Sequence, residues 1–222
     1  MKKSTNALKM SLLSFCLFGA MFTSCKKDDA DTVAPTITLN GSSTVYVQKG
    51  QTYSDAGAVG SDNVDGTITV ASAGTVNQNT TGTYTITYTG KDNAGNAAAE
   101  QKRIVYVVDF TGLYDLSDKV TSTDTSVNGT YTGVANVSVS NSTNNKMTIG
   151  NFGAIGNAVY VDATWAGATL TFNGNVVGAA TPGTITGSGT ISGSTGSNLN
   201  VTYKIVWQGG STDNGVATYT KK

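Results

Sequence analysis

The chain has 222 residues, of which 14 are basic and 14 acidic; it has no histidine, and Glu100 is its one glutamate. Without histidine, Ser-His-Asp and Cys-His catalysis and histidine-held zinc are excluded, and no pair of carboxylates stands out for glycoside hydrolysis. Thr, Ser, Gly and Asn dominate, and beyond residue 24 leucine is confined to Leu39, Leu113, Leu116, Leu170 and Leu199. This composition predicts an all-β fold of short strands joined by Gly and Asn turns. No enzymatic activity and no cofactor are expected.

The first element is a leader. Lys2 and Lys3 precede an apolar run from Leu12 to Phe22, and small residues follow up to Cys25. This is the order of a secretory signal, and the run is too short to span a membrane. Phe22-Thr23-Ser24-Cys25 resembles the cleavage region of a bacterial lipoprotein signal. The resemblance implies removal of residues 1–24, acylation of Cys25 and attachment to a membrane through lipid. Cleavage would remove Cys16, Lys2, Lys3 and Lys9 and no acidic residue, leaving a net charge of −3 and no second thiol. Such a balance argues against a nucleic-acid partner. Lys26-Lys27-Asp28-Asp29 resembles the charged export tag of Bacteroidetes surface lipoproteins, which implies the outer membrane and display at the cell surface; a solvated tether at the periplasmic leaflet is the alternative. Asp31-Thr32-Val33 resembles the O-glycosylation triplet of that phylum. Residues 25–33 are read as lipidated cysteine and tether.

Residues 34–108 read as a β-sandwich. Ile37 and Leu39 alternate with threonines, as do Tyr84, Ile86 and Tyr88, and Ile104, Tyr106 and Val108 share one face of a last strand. The sequence Ala34-Pro35-Thr36-Ile37-Thr38-Leu39-Asn40-Gly41 opens the region. It is followed by Tyr53-Ser54-Asp55-Ala56-Gly57-Ala58, Asp62-Asn63-Val64-Asp65-Gly66, Gly82 to Tyr88 and Asp92-Asn93-Ala94-Gly95-Asn96. In this order the motifs resemble the bacterial Ig-like surface domain found in a pesticidal crystal protein and related to hyaline repeats. The resemblance implies a spacer or adhesion module.

Residues 109–222 restart at Asp109-Phe110-Thr111-Gly112-Leu113-Tyr114. Leu199, Val201, Tyr203, Ile205 and Trp207 form the longest unbroken alternation in the chain. Asn128-Gly129, Asn173-Gly174 and Asp213-Asn214-Gly215 read as turns, and Gly187-Ser188-Gly189 and Gly193 to Gly196 as hairpin loops. About eight to ten strands follow from these runs, and an antiparallel β-barrel or barrel-like domain is expected because closure removes exposed edges. The opening motif and late hairpins resemble lipocalin-like domains of Bacteroidetes lipoproteins.

Few residues suggest a site. Asp62, Asp65 and Asp92 fall on predicted loops beside Asn63 and Asn93; these could supply an oxygen-ligand calcium site, or simply start turns by bonding their own backbone. Trp165 is in phase with Val159 and Val161 but abuts Ala166-Gly167, so it is either core or a ligand-binding residue at the sheet rim. Trp207 reads as core. The function expected is a non-catalytic surface lipoprotein whose Ig-like spacer carries a ligand-binding β domain, for glycan or nutrient. The alternatives are a lipocalin-like carrier of a small apolar ligand and a structural or adhesion protein.

Overall fold

The computed structural model describes residues 30–152 and 159–222. The leader, Cys25 and residues 26–29 lie outside the described residues. Strands β1 (Thr36–Leu39), β2 (Thr44–Gln48), β3 (Ala58–Asp62), β4 (Gly66–Ile68), β5 (Val70–Ala73), β6 (Gly82–Gly90) and β7 (Gln101–Val108) build a sandwich of two sheets. One sheet has the order β1-β3-β4 and the other β2-β7-β6-β5. β2 runs parallel to β7, with Thr44 opposite Ile104 and Gln48 opposite Val108. Between the sheets lie Ile37, Val47, Ile86, Tyr88, Val105 and Val107. Arg103, Val105 and Val107 thus form the inner face of β7, while Ile104 and Tyr106, the face that drew attention in the sequence, are only half-buried.

The remaining strands are β8 (Gly112–Ser122), β9 (Gly129–Val139), β10 (Lys146–Gly150), β11 (Tyr160–Ala166), β12 (Thr169–Val176), β13 (Gly183–Ser192), β14 (Asn198–Trp207) and β15 (Thr212–Lys221). Each pairs antiparallel with the next, and β15 returns to β8, giving a closed up-and-down barrel of eight strands. The period-two pattern explains the closure. β14 buries Leu199, Val201, Tyr203 and Ile205 and exposes the residues between them, and β8 buries Tyr114, Leu116, Asp118, Val120 and Ser122 in the same way.

Three glycine-containing motifs depart from the turns expected of them. Asn173-Gly174 lies within β12, Gly187-Ser188-Gly189 within β13, and Asp213-Asn214-Gly215 at the start of β15. In the Gly187–Gly189 and Asp213–Gly215 motifs the reason is close approach across the sheet, whereas a Cβ at Gly174 would meet nothing within 4 Å. Gly215 faces Tyr203, and a Cβ at Gly215 would fall 2.1 Å from the Tyr203 ring. A Cβ at Gly187 would fall 2.5 Å from the Thr202 carbonyl. Glycine here makes room for a neighbour rather than reversing the chain. The expected Gly193–Gly196 loop does connect β13 to β14.

Sandwich and barrel meet closely, and Asp31–Lys222 forms one unit. The Trp165 indole N–H donates to the Tyr46 carbonyl at 2.9 Å, and the Tyr46 hydroxyl donates to the Gly193 carbonyl at 2.9 Å. Phe110 stacks edge-on against Trp165 with centroids 5.1 Å apart. The joint itself is bonded: the Phe110 N–H donates to the Gln48 side-chain oxygen at 2.8 Å, and the Gln48 amide donates to Asp109 at 3.1 Å. Tyr46 and Val108 of the sandwich therefore belong to the barrel's hydrophobic cluster.

Candidate functional site

The barrel interior is filled. Phe152, from the chain after β10, packs against Phe172, Tyr203 and Tyr219 with centroid distances of 5.5, 4.8 and 6.0 Å. Met147, Ile149, Leu170, Ile185 and Leu199 are fully buried around them. Each such apolar side chain contributes about 1.5–3 kcal/mol on burial. A carboxylate shares this interior with the tyrosines. Asp118 is 0% exposed and accepts a hydrogen bond from the Tyr203 hydroxyl at 2.6 Å. Its Oδ1 has no partner. Burial raises the Asp118 pKa, and the Tyr203 hydrogen bond only partly offsets this.

The folded state therefore holds the Asp118 proton to higher pH than the unfolded chain does. Wild-type stability should fall as pH rises from the ordinary carboxylate value through the raised one, then level off. Asp118→Asn should flatten that window, because the amide does not titrate while its oxygen can still accept from the Tyr203 hydroxyl. Melting curves from acid to neutral pH test this, and identical curves for parent and variant at every pH would refute it.

The outer wall of the barrel carries an opening. β11 and β12 pair from Ala166 opposite Thr169 to Ala163 opposite Phe172, and meet again only where Tyr160 bridges Val177. Between these points Val161 and Asp162 face the longer stretch Asn173–Val176, so β12 bulges away from β11 while keeping its pairing to β13. This bulge is what the Asn173-Gly174 signal marks. A groove of about 570 Å³ lies there, lined by Tyr160, Asp162, Thr148, Asn173, Asn175 and Val177 among others. Tyr160 is 44% exposed. Asp162 accepts from Thr148 Oγ1 at 2.6 Å and pairs with Lys146 Nζ at 2.8 Å. Burial works to raise the Asp162 pKa, but the bonds from Lys146 and Thr148 outweigh it and lower the pKa.

The residues singled out from the sequence fall in different places. Trp165 is 3% exposed and sits between barrel and sandwich, so the core alternative holds for it; stacking on a ligand from solvent is not open to a ring in that position. Trp207 is half-buried against the barrel core, and its indole N–H donates to Asp213 at 2.6 Å. Asp65 bonds the Asn93 N–H at 2.6 Å and side-chain amide at 2.8 Å, pinning two loops together. Asp62 and Asp92 do come together, but with Asp31 rather than Asp65. Asp31 was hidden from the sequence reading because it lies in the polar tether, far from both in the chain. Cys25 lies outside the described residues. Among the described residues, no helix is long and apolar enough to cross a membrane.

Comparison with known proteins agrees with the sandwich. Residues 37–107 match the family model described as a bacterial surface protein Ig-like domain. No curated protein matches the chain. Among solved structures, a lipoprotein from Bacteroides thetaiotaomicron is similar over 83% of this chain and 98% of its own, at 17% identity and a TM-score of 0.33. A mutant of the vaccine antigen transferrin binding protein B from Haemophilus parasuis is similar over 66% of this chain and 39% of its own, at 9% identity and a TM-score of 0.33. Neither likeness speaks to the chemistry of this chain.

Proposed function

We propose that this is a non-catalytic lipoprotein of the bacterial outer membrane, acylated at Cys25 and displayed at the cell surface. In this reading the Ig-like sandwich of residues 34–108 carries the barrel of residues 109–222, and the barrel binds glycan on its outer wall. The observation that carries the binding reading is the opening between β11 and β12. It sets an exposed aromatic ring, Tyr160, beside two asparagines, threonine hydroxyls and the Lys146–Asp162 ion pair. A ring face with paired donors and acceptors suits a ligand rich in hydroxyl groups. The lipocalin-like alternative, a small apolar ligand held inside the barrel, needs the space that Phe152, Phe172, Tyr203 and Tyr219 occupy.

A glycan array probed with the full chain tests the reading, with protease shaving of intact cells as the test of display. Tyr160→Ala should keep the parent melting temperature and lose about two- to tenfold in affinity, since one aromatic stacking contact contributes roughly 0.5–1.5 kcal/mol. A parent that binds no glycan, or a Tyr160→Ala variant that binds like the parent, leaves the structural or adhesion alternative in its place. Cys25→Ser should leave the protein without its lipid mass and outside the membrane fraction.

A further inference from the structure

Three separate segments of the sandwich converge on one cluster of acids. Asp31 precedes β1, Asp62 ends β3, and Asp92 lies in the loop between β6 and β7. One carboxylate oxygen from each lies within 4.8 Å of the other two. Like charges held this close repel unless something positive stands between them. The described ion pairs engage Glu100, Asp55, Asp162 and Asp115, and none of these three acids.

Local hydrogen bonds account for part of the cluster. Asp62 Oδ1 accepts from the N–H groups of Val64 and Asp65, at 2.8 and 3.0 Å. Asp92 accepts from the Asn96 backbone at 2.7 Å and from its side-chain amide at 2.8 Å. That same amide also donates to the Asp31 carbonyl at 3.1 Å, drawing the chain before β1 onto the loop. Asp31 Oδ1 accepts from the Val33 N–H at 3.0 Å. What remains is two carboxylate oxygens, Asp31 Oδ2 and Asp62 Oδ2, shut off from solvent and without a hydrogen-bond partner. Asp62 as a whole is only 8% exposed. Buried polar atoms are nearly always partnered, and acidic oxygens from three segments with orphaned atoms among them call for a cation.

We propose that Asp31, Asp62 and Asp92 bind a calcium ion. The donor set is all oxygen, which selects a hard cation over zinc or copper. The ligands come from the segment before β1, the end of β3 and the β6–β7 loop, a set that suits calcium's irregular shell of six to eight oxygens, with water completing it, better than the strict octahedron of magnesium. The ion would join the chain just after the tether to two loops of the sandwich. Because Asp31 lies six residues beyond Cys25, it would fasten the sandwich to the end of its tether.

Calorimetric titration of the EDTA-treated full chain with calcium chloride tests the site. One ion should bind with a Kd of about 0.1–1 mM, the range of extracellular modules. Calcium should raise the melting temperature, and EDTA should reverse the rise. Asp31→Asn and Asp62→Asn should each weaken binding at least about tenfold, the loss of one charged ligand. Asp115→Asn, on the barrel, should bind like the parent. Asp31 lies outside every strand, so Asp31→Asn decides the matter should Asp62→Asn fail to fold. The proposal is overturned if the parent shows neither heat nor a melting shift with calcium. It is equally overturned if Asp31→Asn binds like the parent, or if magnesium binds as tightly as calcium.

Discussion

Trp165→Ala is expected to lower the melting temperature of the whole chain by roughly 6–20 °C, with sandwich and barrel still melting in one transition. Removing a core tryptophan costs about 3–5 kcal/mol, and in a domain of this size each kcal/mol shifts the midpoint by roughly 2–4 °C. The ring of Trp165 fills the space against Phe110, and its N–H meets the carbonyl of Tyr46 in β2. The loss therefore falls on the contact between the two bodies, not on the barrel alone. Trp165→Phe separates the parts: it keeps most of the packing and gives up the hydrogen bond, for a smaller drop of about 1–2 kcal/mol. Differential scanning calorimetry reads both. A Trp165→Ala protein that melts like the parent would place the ring outside the core. Two separated transitions in the parent would show that the bonds at Tyr46, Gln48 and Phe110 do not couple the bodies.

Much of the architecture was legible because strands announce themselves by period two. Leu199 to Trp207 became β14 as its alternation required, and the Asp62–Gly66 and Asp92–Asn96 motifs became the turns their residues favour. The misread positions have two physical causes, a close neighbour across the sheet that the sequence does not reveal and a bulge in an otherwise paired strand. Gly215 looked like turn chemistry beside Asp213 and Asn214, yet it is in a strand because Tyr203 lies across it. Asn173-Gly174 signalled a reversal and instead marks a bulge, still paired to β13. The groove could not be found from composition, since it depends on β12 having more residues than β11 between two pairings. The acid cluster shows the same limit: Asp62 and Asp92 were visible on loops, but only the path of the chain before β1 brings in Asp31. Trp165 stood next to a turn, as a rim residue should, and it is buried because the sandwich covers that rim.

Arg103 is the second residue whose removal should be severe. It is 1% exposed on the inner face of β7, where a sandwich strand would ordinarily place valine. Its guanidinium is paired with Asp55 and donates to the Tyr88 hydroxyl at 2.8 Å, and through Nε to the Ser42 carbonyl at 3.0 Å. It thereby ties β7 to the segment between β1 and β2 and to the chain before β3. The carboxylate at its centre is well served: Tyr88 donates to Asp55 at 2.7 Å and Tyr53 at 3.0 Å. Burial works to raise the Asp55 pKa, but the Tyr88 hydroxyl and the Arg103 guanidinium more than reverse it and hold the pKa below the ordinary value. Arg103→Met should cost about 3–5 kcal/mol, because it leaves a desolvated carboxylate and unpaired carbonyls behind. The pH dependence gives the effect its signature. A carboxylate with a depressed folded-state pKa stabilises the protein above its unfolded pKa, and that stabilisation is lost as pH falls through the folded value. The gap between parent and Arg103→Met should therefore be full at neutral pH and shrink as the solution is acidified below the ordinary range for aspartate. Denaturant midpoints measured across that range check it, and a gap of constant size down to the lowest pH would assign the loss to packing rather than to the Asp55 pair.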